Sequence, residues 1–190
     1  GPMTQPNVVL IREGGMKVDT QSIGYTIDTP IQRASDVVTD GGLTKLGPGY
    51  LRMSVSPDYN GPTLVSEGEL SVVSGAYLPA ATVLTIAPGA QFTGTQGASV
   101  TNMRTTMLAG LNWGVTNHAK AATLTLQIAA PSAYDRILVN GPVTIGTAQV
   151  QLVKLGTTEA VPFNGVYDLL TYQGSDPSVA GLSVANPLSN

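Results

Sequence analysis

Apolar and polar residues alternate with a period of two along most of this chain, while the period of a helix is almost absent. Residues 51–55 and 124–128 both carry an apolar side chain at every second position. β-branched residues dominate such runs, as expected for side chains that pack on a pleated surface. The runs are short and end at Gly, Pro, Asn or Asp, which suit tight corners. The pattern predicts an all-β fold of short strands.

Three all-β architectures fit this pattern: an antiparallel sandwich, a closed barrel and a parallel solenoid. Hairpin signals are scarce, because the Asn-Gly pairs at 60–61 and 140–141 are each followed by a proline, which cannot donate to a ladder. Residues 43–51 and 82–92 echo each other as strand, Pro-Gly and apolar residue, and 135–153 packs three short strands into about one coil. These repeats favour a parallel β-helix, and the sandwich is the alternative.

Composition restricts the partners. Charged residues are only 11% of the 190 residues, and the net charge is −3. The nine Lys and Arg are scattered singly, whereas binding to a phosphate backbone needs them clustered, so nucleic acid is not expected. No apolar run approaches the ~18 residues of a membrane helix, so direct membrane insertion is not expected either.

The chain is expected to form a single unit. Residues 1–3, Gly-Pro-Met, are typical of a scar left by tag removal, and 4–190 are predicted to be one β-solenoid segment. Residues 98–120 alternate less clearly and contain the only Trp and the only His. This region is predicted to be an irregular coil or a loop that leaves the stack.

Residues 42–70, GLTKLGPGYLRMSVSPDYNGPTLVSEGEL, resemble the autotransporter-associated β-strand repeat. That family reads roughly Gly-Gly-Leu-Thr-Lys-x-Gly-x-Gly-x-Leu-x-Leu, then Tyr-x-Gly-x-Thr-x-Val-x-x-Gly-x-Leu. The main departure is Met53 where the family usually has Leu, a change that conserves volume. The matching residues are Leu43, Thr44, Lys45, Gly47, Gly49, Leu51, Tyr59, Gly61, Thr63, Val65, Gly68 and Leu70.

The resemblance implies a right-handed parallel β-helix from the passenger region of a large secreted or outer-membrane-anchored bacterial protein. It implies neighbouring coils of the parent chain as partners and a location outside the cell or at its surface. The expected function is a non-enzymatic structural stalk without a cofactor. An adhesin module that binds host or matrix glycans or proteins through a side face is the alternative. A β-helical polysaccharide lyase or hydrolase is a third hypothesis, which the dispersed bases disfavour.

The glycine-rich residues 41–49 do not match a phosphate-binding loop. They lack the GxxxxGK[ST] order and the GxGxxG spacing, and no helix follows to present its N-terminus to an anion. Gly47 and Gly49 are instead expected to let the backbone turn around Pro48. Lys45 is expected to point to solvent.

Three residues after this corner are predicted to line the shared core of the coils. They are Leu51, Met53 and Val55, which lie on one side of an alternating run.

His118, the sole histidine, is interpreted as a polar loop residue. A Ser-His-Asp triad needs a carboxylate to orient its base, and no acid lies between Glu69 and Asp135 in the sequence. One His and no Cys exclude a structural zinc site, and a catalytic one is not expected.

Most of the twelve acids are interpreted as turn residues, since they stand beside Gly, Pro or Asn. Asp36 or Asp40 stacked near Asp58 or Glu67 would provide the two carboxylates that glycan hydrolysis needs.

Three tyrosines are candidates for a platform that stacks on sugar rings, namely Tyr50, Tyr59 and Tyr77. For Tyr59, which is also a repeat position, packing in the core is the favoured role.

Overall fold

The computed structural model describes residues 8–73, 75–96, 104–130, 133–154 and 167–185. None of these residues is helical, so they include no helix that could cross a membrane. Short β-strands make up the fold, as the alternation predicts. In chain order they are β1 (Val9–Ile11), β2 (Met16–Asp19), β3 (Tyr25–Ile27), β4 (Ile31–Arg33), β5 (Leu43–Leu46), β6 (Tyr50–Met53), β7 (Thr63–Val65), β8 (Glu69–Val73), β9 (Val83–Ile86), β10 (Gln91–Gln96), β11 (Arg104–Leu108), β12 (Gly110–Trp113), β13 (Ala122–Ala130), β14 (Ala133–Val139), β15 (Val143–Ile145), β16 (Ala148–Lys154), β17 (Leu170–Tyr172) and β18 (Leu182–Ala185).

The strands form three stacked faces. The first face consists of β2, β5, β7, β9, β12 and β15, and the second of β3, β6, β8, β10, β13, β16 and β18. The third face consists of β1 with β4, and of β11 with β14 and β17. A single bridge between Gln32 and Asp58 extends the third face beyond β4.

The chain visits the three faces in turn and therefore winds in coils, each stacked on the one before. The first coil is β1–β3, the second β4–β6, the third β7 and β8, the fourth β9 and β10, the fifth β11–β13, the sixth β14–β16 and the seventh β17 and β18. Among the described strands every pairing is parallel except that of β13 with β14. The molecule is thus a parallel β-solenoid, and the antiparallel sandwich is wrong.

The core is a set of apolar columns that run from coil to coil. On the second face five side chains are successive register partners and are at most 8% exposed. Burial of each such side chain stabilises the fold by about 1.5–3 kcal/mol. The column consists of Leu51, Leu70, Phe92, Leu124 and Val150.

Two glycines shape the corner between β5 and β6 for different reasons. Gly47 has a φ of +76°, which a residue with a Cβ rarely adopts. A Cβ on Gly49 would lie 1.9 Å from the carbonyl oxygen of Ile23 in the coil before. The predicted turn around Pro48 is confirmed, but Gly49 serves close backbone approach instead of a positive φ.

The prediction of three core residues after this corner is wrong for one of them. Leu51 and Met53 are buried, with exposures of 0% and 1%, whereas Val55 is 36% exposed. Strand β6 ends at Met53, and the N–H of Ser54 donates to the carbonyl of Ile27 as the chain turns away. The alternation of side chains stops where the strand does.

Of the two alternatives for 98–120, the loop that leaves the stack is wrong for residues 104–113, which belong to a coil of the solenoid. Strand β12 pairs with both β9 and β15, and β11 pairs with β14, so residues 104–113 stay in the stack. Trp113 is buried, and its indole N–H donates to the carbonyl of Ala122 at 2.8 Å. Residues 115–120 do form an exposed loop, and 98–103 lie outside the described residues.

Candidate functional site

The residues of the repeat motif meet in the second and third coils, around the two ends of β5. Leu43 and Lys45 both face inward on this strand. Lys45 is the register partner of Val18 on one side and of Val65 on the other. An ammonium group therefore stands in a column that is otherwise apolar.

Lys45 has no solvent exposure, and the prediction that it points to solvent is wrong. Period two explains the error, because Leu43 faces inward and a residue two positions later must do the same. The alternation by itself predicts an inward Lys45, and the general tendency of charged side chains to face water does not hold at this position.

The ammonium of Lys45 is saturated by backbone carbonyls. Nζ donates to the carbonyl oxygens of Leu46 at 3.0 Å, of Gly47 at 2.6 Å and of Glu67 at 2.9 Å. Three acceptors match the three donors of an ammonium. Because Leu46 and Gly47 belong to the second coil and Glu67 to the third, Lys45 joins two coils at this corner.

Burial lowers the pKa of Lys45, and the negative charges of Glu67, then Asp19 and Glu69, oppose that shift. Loss of water around the ammonium is the larger effect. None of these three carboxylates forms an ion pair with Lys45. The corner carbonyls are its direct partners.

Asp40 plays the matching role at the other end of β5. Its Oδ1 accepts from the N–H groups of Gly42 at 2.8 Å and Gly61 at 3.0 Å, and its Oδ2 accepts from the N–H of Asn60 at 2.8 Å. Asp40 is 3% exposed. It is a turn residue, as predicted, but its carboxylate also joins the second coil to the third.

A chain of hydroxyl groups lies next to this carboxylate. Thr82 Oγ1 donates to the carbonyl of Gly61 at 2.8 Å, which leaves it to accept from Thr63 Oγ1 at 2.9 Å. Thr63 in turn accepts from the hydroxyl of Tyr59 at 2.6 Å. Tyr59 is 2% exposed, and burial raises its pKa. The predicted packing role of Tyr59 is confirmed.

The three-tyrosine platform is wrong, because Tyr59 is buried and the other two are separated. Tyr50 is exposed on the second face, where the guanidinium carbon of Arg52 lies 4.4 Å from its ring centre. Tyr77 lies beside Met107 of the third face, in a shallow depression.

His118 is an exposed loop residue, as predicted. Its Nδ1 lies 3.1 Å from the backbone nitrogen and 3.2 Å from the carbonyl oxygen of Lys120, so the ring folds back on its own loop. The described residues contain no group of three or more His, Asp or Glu side chains able to hold a metal ion.

Two of the four acids considered for glycan hydrolysis have carboxylates that already bind other groups. Asp36 is paired with Arg12, and Asp40 accepts three backbone N–H groups. Asp58 and Glu67 contact neighbouring coils through their backbones: Asp58 is the bridge partner of Gln32, and the carbonyl of Glu67 accepts from Lys45. What these residues build is a set of joints between coils.

No family model, no curated protein and no solved structure matches this chain. The fold places this chain in the class of parallel β-solenoids. In this molecule, buried polar side chains join the second coil to the third.

Proposed function

We propose that this chain is a stalk segment of a large secreted or cell-surface bacterial protein, where it would hold other parts away from the cell without catalysing a reaction. The autotransporter-associated repeat that residues 42–70 resemble supports this location. The fold supports the mechanical role, and the two lines of support are independent.

The observation that carries the proposal is the continuous second face. Its seven strands stack with six steps of about 4.8 Å, or about 29 Å along the axis. The apolar column from Leu51 to Val150 follows the same axis without a polar interruption. Each coil contacts its neighbours, so stability spreads along the stack as it does in other repeat proteins.

The two outermost coils support neighbouring coils of the parent chain as partners. In the first coil Leu10, Ile23 and Tyr25 are each about half exposed, and Val184 of the seventh coil is 73% exposed. Further coils stacked on these edges would cover the apolar side chains and complete the ladders.

The joints between coils support a role in bearing load. Lys45 and Asp40 each bond to backbone groups of two coils, at opposite ends of the same strand. Separating these coils must break the bonds of a buried ammonium and a buried carboxylate, which are stronger than neutral hydrogen bonds.

Force spectroscopy on single molecules held by their two ends tests the mechanical role. One coil contains from 19 residues (Leu51 to Leu70) to 34 residues (Val150 to Val184), so releasing it adds about 65 to 115 Å of length. We expect stepwise extension in increments of this size. A smooth extension without coil-sized steps would refute the stalk.

A second measurement tests the location. Antibodies raised against the purified chain should bind intact cells that produce the parent protein. Binding seen only after the cells are lysed would refute a surface or secreted role.

A further inference from the structure

A recess of about 300 Å³ opens at the corner between the first and second faces, in the fifth to seventh coils. Three segments line it. They are the loop after β12 with Thr116 and Asn117, the turn from Ile145 to Thr147, and the segment before β18 with Ser178. All of these residues belong to the described part of the chain.

The recess exists because the two faces end at different coils. Among the described strands the first face ends with β15, whereas the second continues to β18. The seventh coil therefore crosses this corner without a first-face strand, and Ser178, Ala180 and Gly181 wall the gap instead.

Glycines allow the backbones of successive coils to approach closely at this corner. A Cβ on Gly146 would lie 2.4 Å from the carbonyl carbon of Val115, and one on Gly181 would lie 2.2 Å from the carbonyl oxygen of Gly146. Side chains at either position would clash with the coil before.

The lining is polar but carries no charge. Thr116, Thr147 and Ser178 offer hydroxyl groups and Asn117 an amide, while Ala180 and the 8% of Ile145 that is exposed supply the apolar surface. The oxygen of Thr147 accepts from the N–H of His118 at 3.1 Å, so its own hydrogen can be donated to a ligand. An ionic ligand would lose water here without meeting an opposite charge.

We propose that this recess, which we call the corner cleft, binds one neutral saccharide unit. A sugar ring combines hydroxyl groups with apolar C–H surface, and both match this lining. The volume is at the lower end of the range of ligand sites, so it fits a single unit or the end of a glycan and not a long segment. The proposed stalk function does not depend on the corner cleft. A negative result in the experiment below would therefore refute saccharide binding without refuting the stalk, and a negative force measurement would do the reverse.

Titration of the isotope-labelled chain, followed by amide NMR shifts, tests the proposal. The probes are the methyl glycosides of glucose, galactose and mannose, with glucuronic acid as the charged comparison. At least one neutral glycoside should cause saturable shifts at Thr116, Asn117, Thr147 and Gly181, with a dissociation constant in the millimolar range. Glucuronic acid should not. Absence of saturable shifts up to about 50 mM, shifts confined to other faces, or equal binding of glucuronic acid would overturn the proposal.

Variants locate the binding. Ser178→Ala should weaken it by about three- to ten-fold, as expected for one neutral hydrogen bond. Ala180→Leu, at an exposed lining position, should fill the cleft and abolish it. Thr144→Val, also exposed but outside the lining, is the matched control and should bind as the native chain does. The same affinity in Ala180→Leu as in the native chain would overturn the assignment to this cleft, and unchanged far-ultraviolet spectra and melting temperatures show that each variant is folded.

Discussion

Replacing Lys45 should destabilise the solenoid strongly, although lysine is ordinarily among the most exposed residues. Lys45→Ala removes three methylenes of a buried stem, worth about 0.8 kcal/mol each. It also takes the ammonium donor from the carbonyls of Gly47 and Glu67, at about 1–3 kcal/mol for buried groups left without a partner, whereas the carbonyl of Leu46 still accepts from the N–H of Thr20. Relief from burying the charge offsets part of this loss.

The net expectation is a loss of about 3–5 kcal/mol in the free energy of unfolding for Lys45→Ala. Lys45→Met keeps the stem and should lose only about 1–3 kcal/mol. Urea titration measures both values, and a chain of this size should also melt about 2–4 °C lower for each kcal/mol lost.

Lys17→Ala is the matched control. Lys17 lies on the neighbouring strand β2, but its side chain is exposed, so its removal should change the free energy of unfolding by less than about 0.5 kcal/mol. If Lys45→Ala were no more damaging than Lys17→Ala, the joint at this corner would be refuted.

The same residue predicts a dependence on pH. Burial holds the pKa of Lys45 below its ordinary value of 10.5, so between the two values the unfolded chain binds more protons than the folded one. The contribution of Lys45 to the free energy of unfolding therefore increases with pH between its folded and unfolded pKa values. Lys45→Met has no titrating group here and should not show this increase. The stability difference between the native chain and Lys45→Met should widen toward pH 10.5, and a constant difference would contradict the account.

Three further changes test the core and the corners by urea titration. Leu51→Asp places a charge in the second-face column and should unfold the neighbouring coils, whereas Arg52→Asp, on the exposed side of the same strand, should be tolerated. Asp40→Ala leaves three backbone N–H groups without an acceptor and should cost more than about 2 kcal/mol, and a neutral result would contradict the joint. Gly47→Ala meets both a positive φ and an oxygen 2.4 Å away, so it should be destabilising, while Gly14→Ala has open space and should be nearly silent.

The sequence predicts the fold because alternation and corner residues agree over several coils. Residues 43–51 and 82–92 were expected to repeat one unit, and each contains a first-face strand, a corner and the start of a second-face strand. Residues 135–153 hold the predicted three strands of one coil.

Other features are not encoded in the alternation of apolar and polar residues. Strand β13 runs antiparallel to β14 from Ile128 to Ala130, yet no Asn-Gly or Gly-Gly turn marks this reversal in the sequence. Trp113 occupies the same inward column as Ile86 and Ile145. Only the strand register of β12 with β9 and β15 places it there. A single large side chain in a weakly alternating region gives no such signal.

Disulfide formation between strands of neighbouring coils tests the parallel stack most directly, because the native chain has no cysteine. Thr85 and Asn112 are register partners, and the Asn112 amide donates to Thr85 Oγ1 at 3.3 Å. Adjacent strands about 4.8 Å apart are within reach of a disulfide, and strands two coils apart, at about 9.6 Å, are not. The account predicts that Thr85→Cys with Asn112→Cys crosslinks under mild oxidation and that Thr85→Cys with Thr144→Cys does not. Equal crosslinking of both pairs, or of neither, would contradict the solenoid.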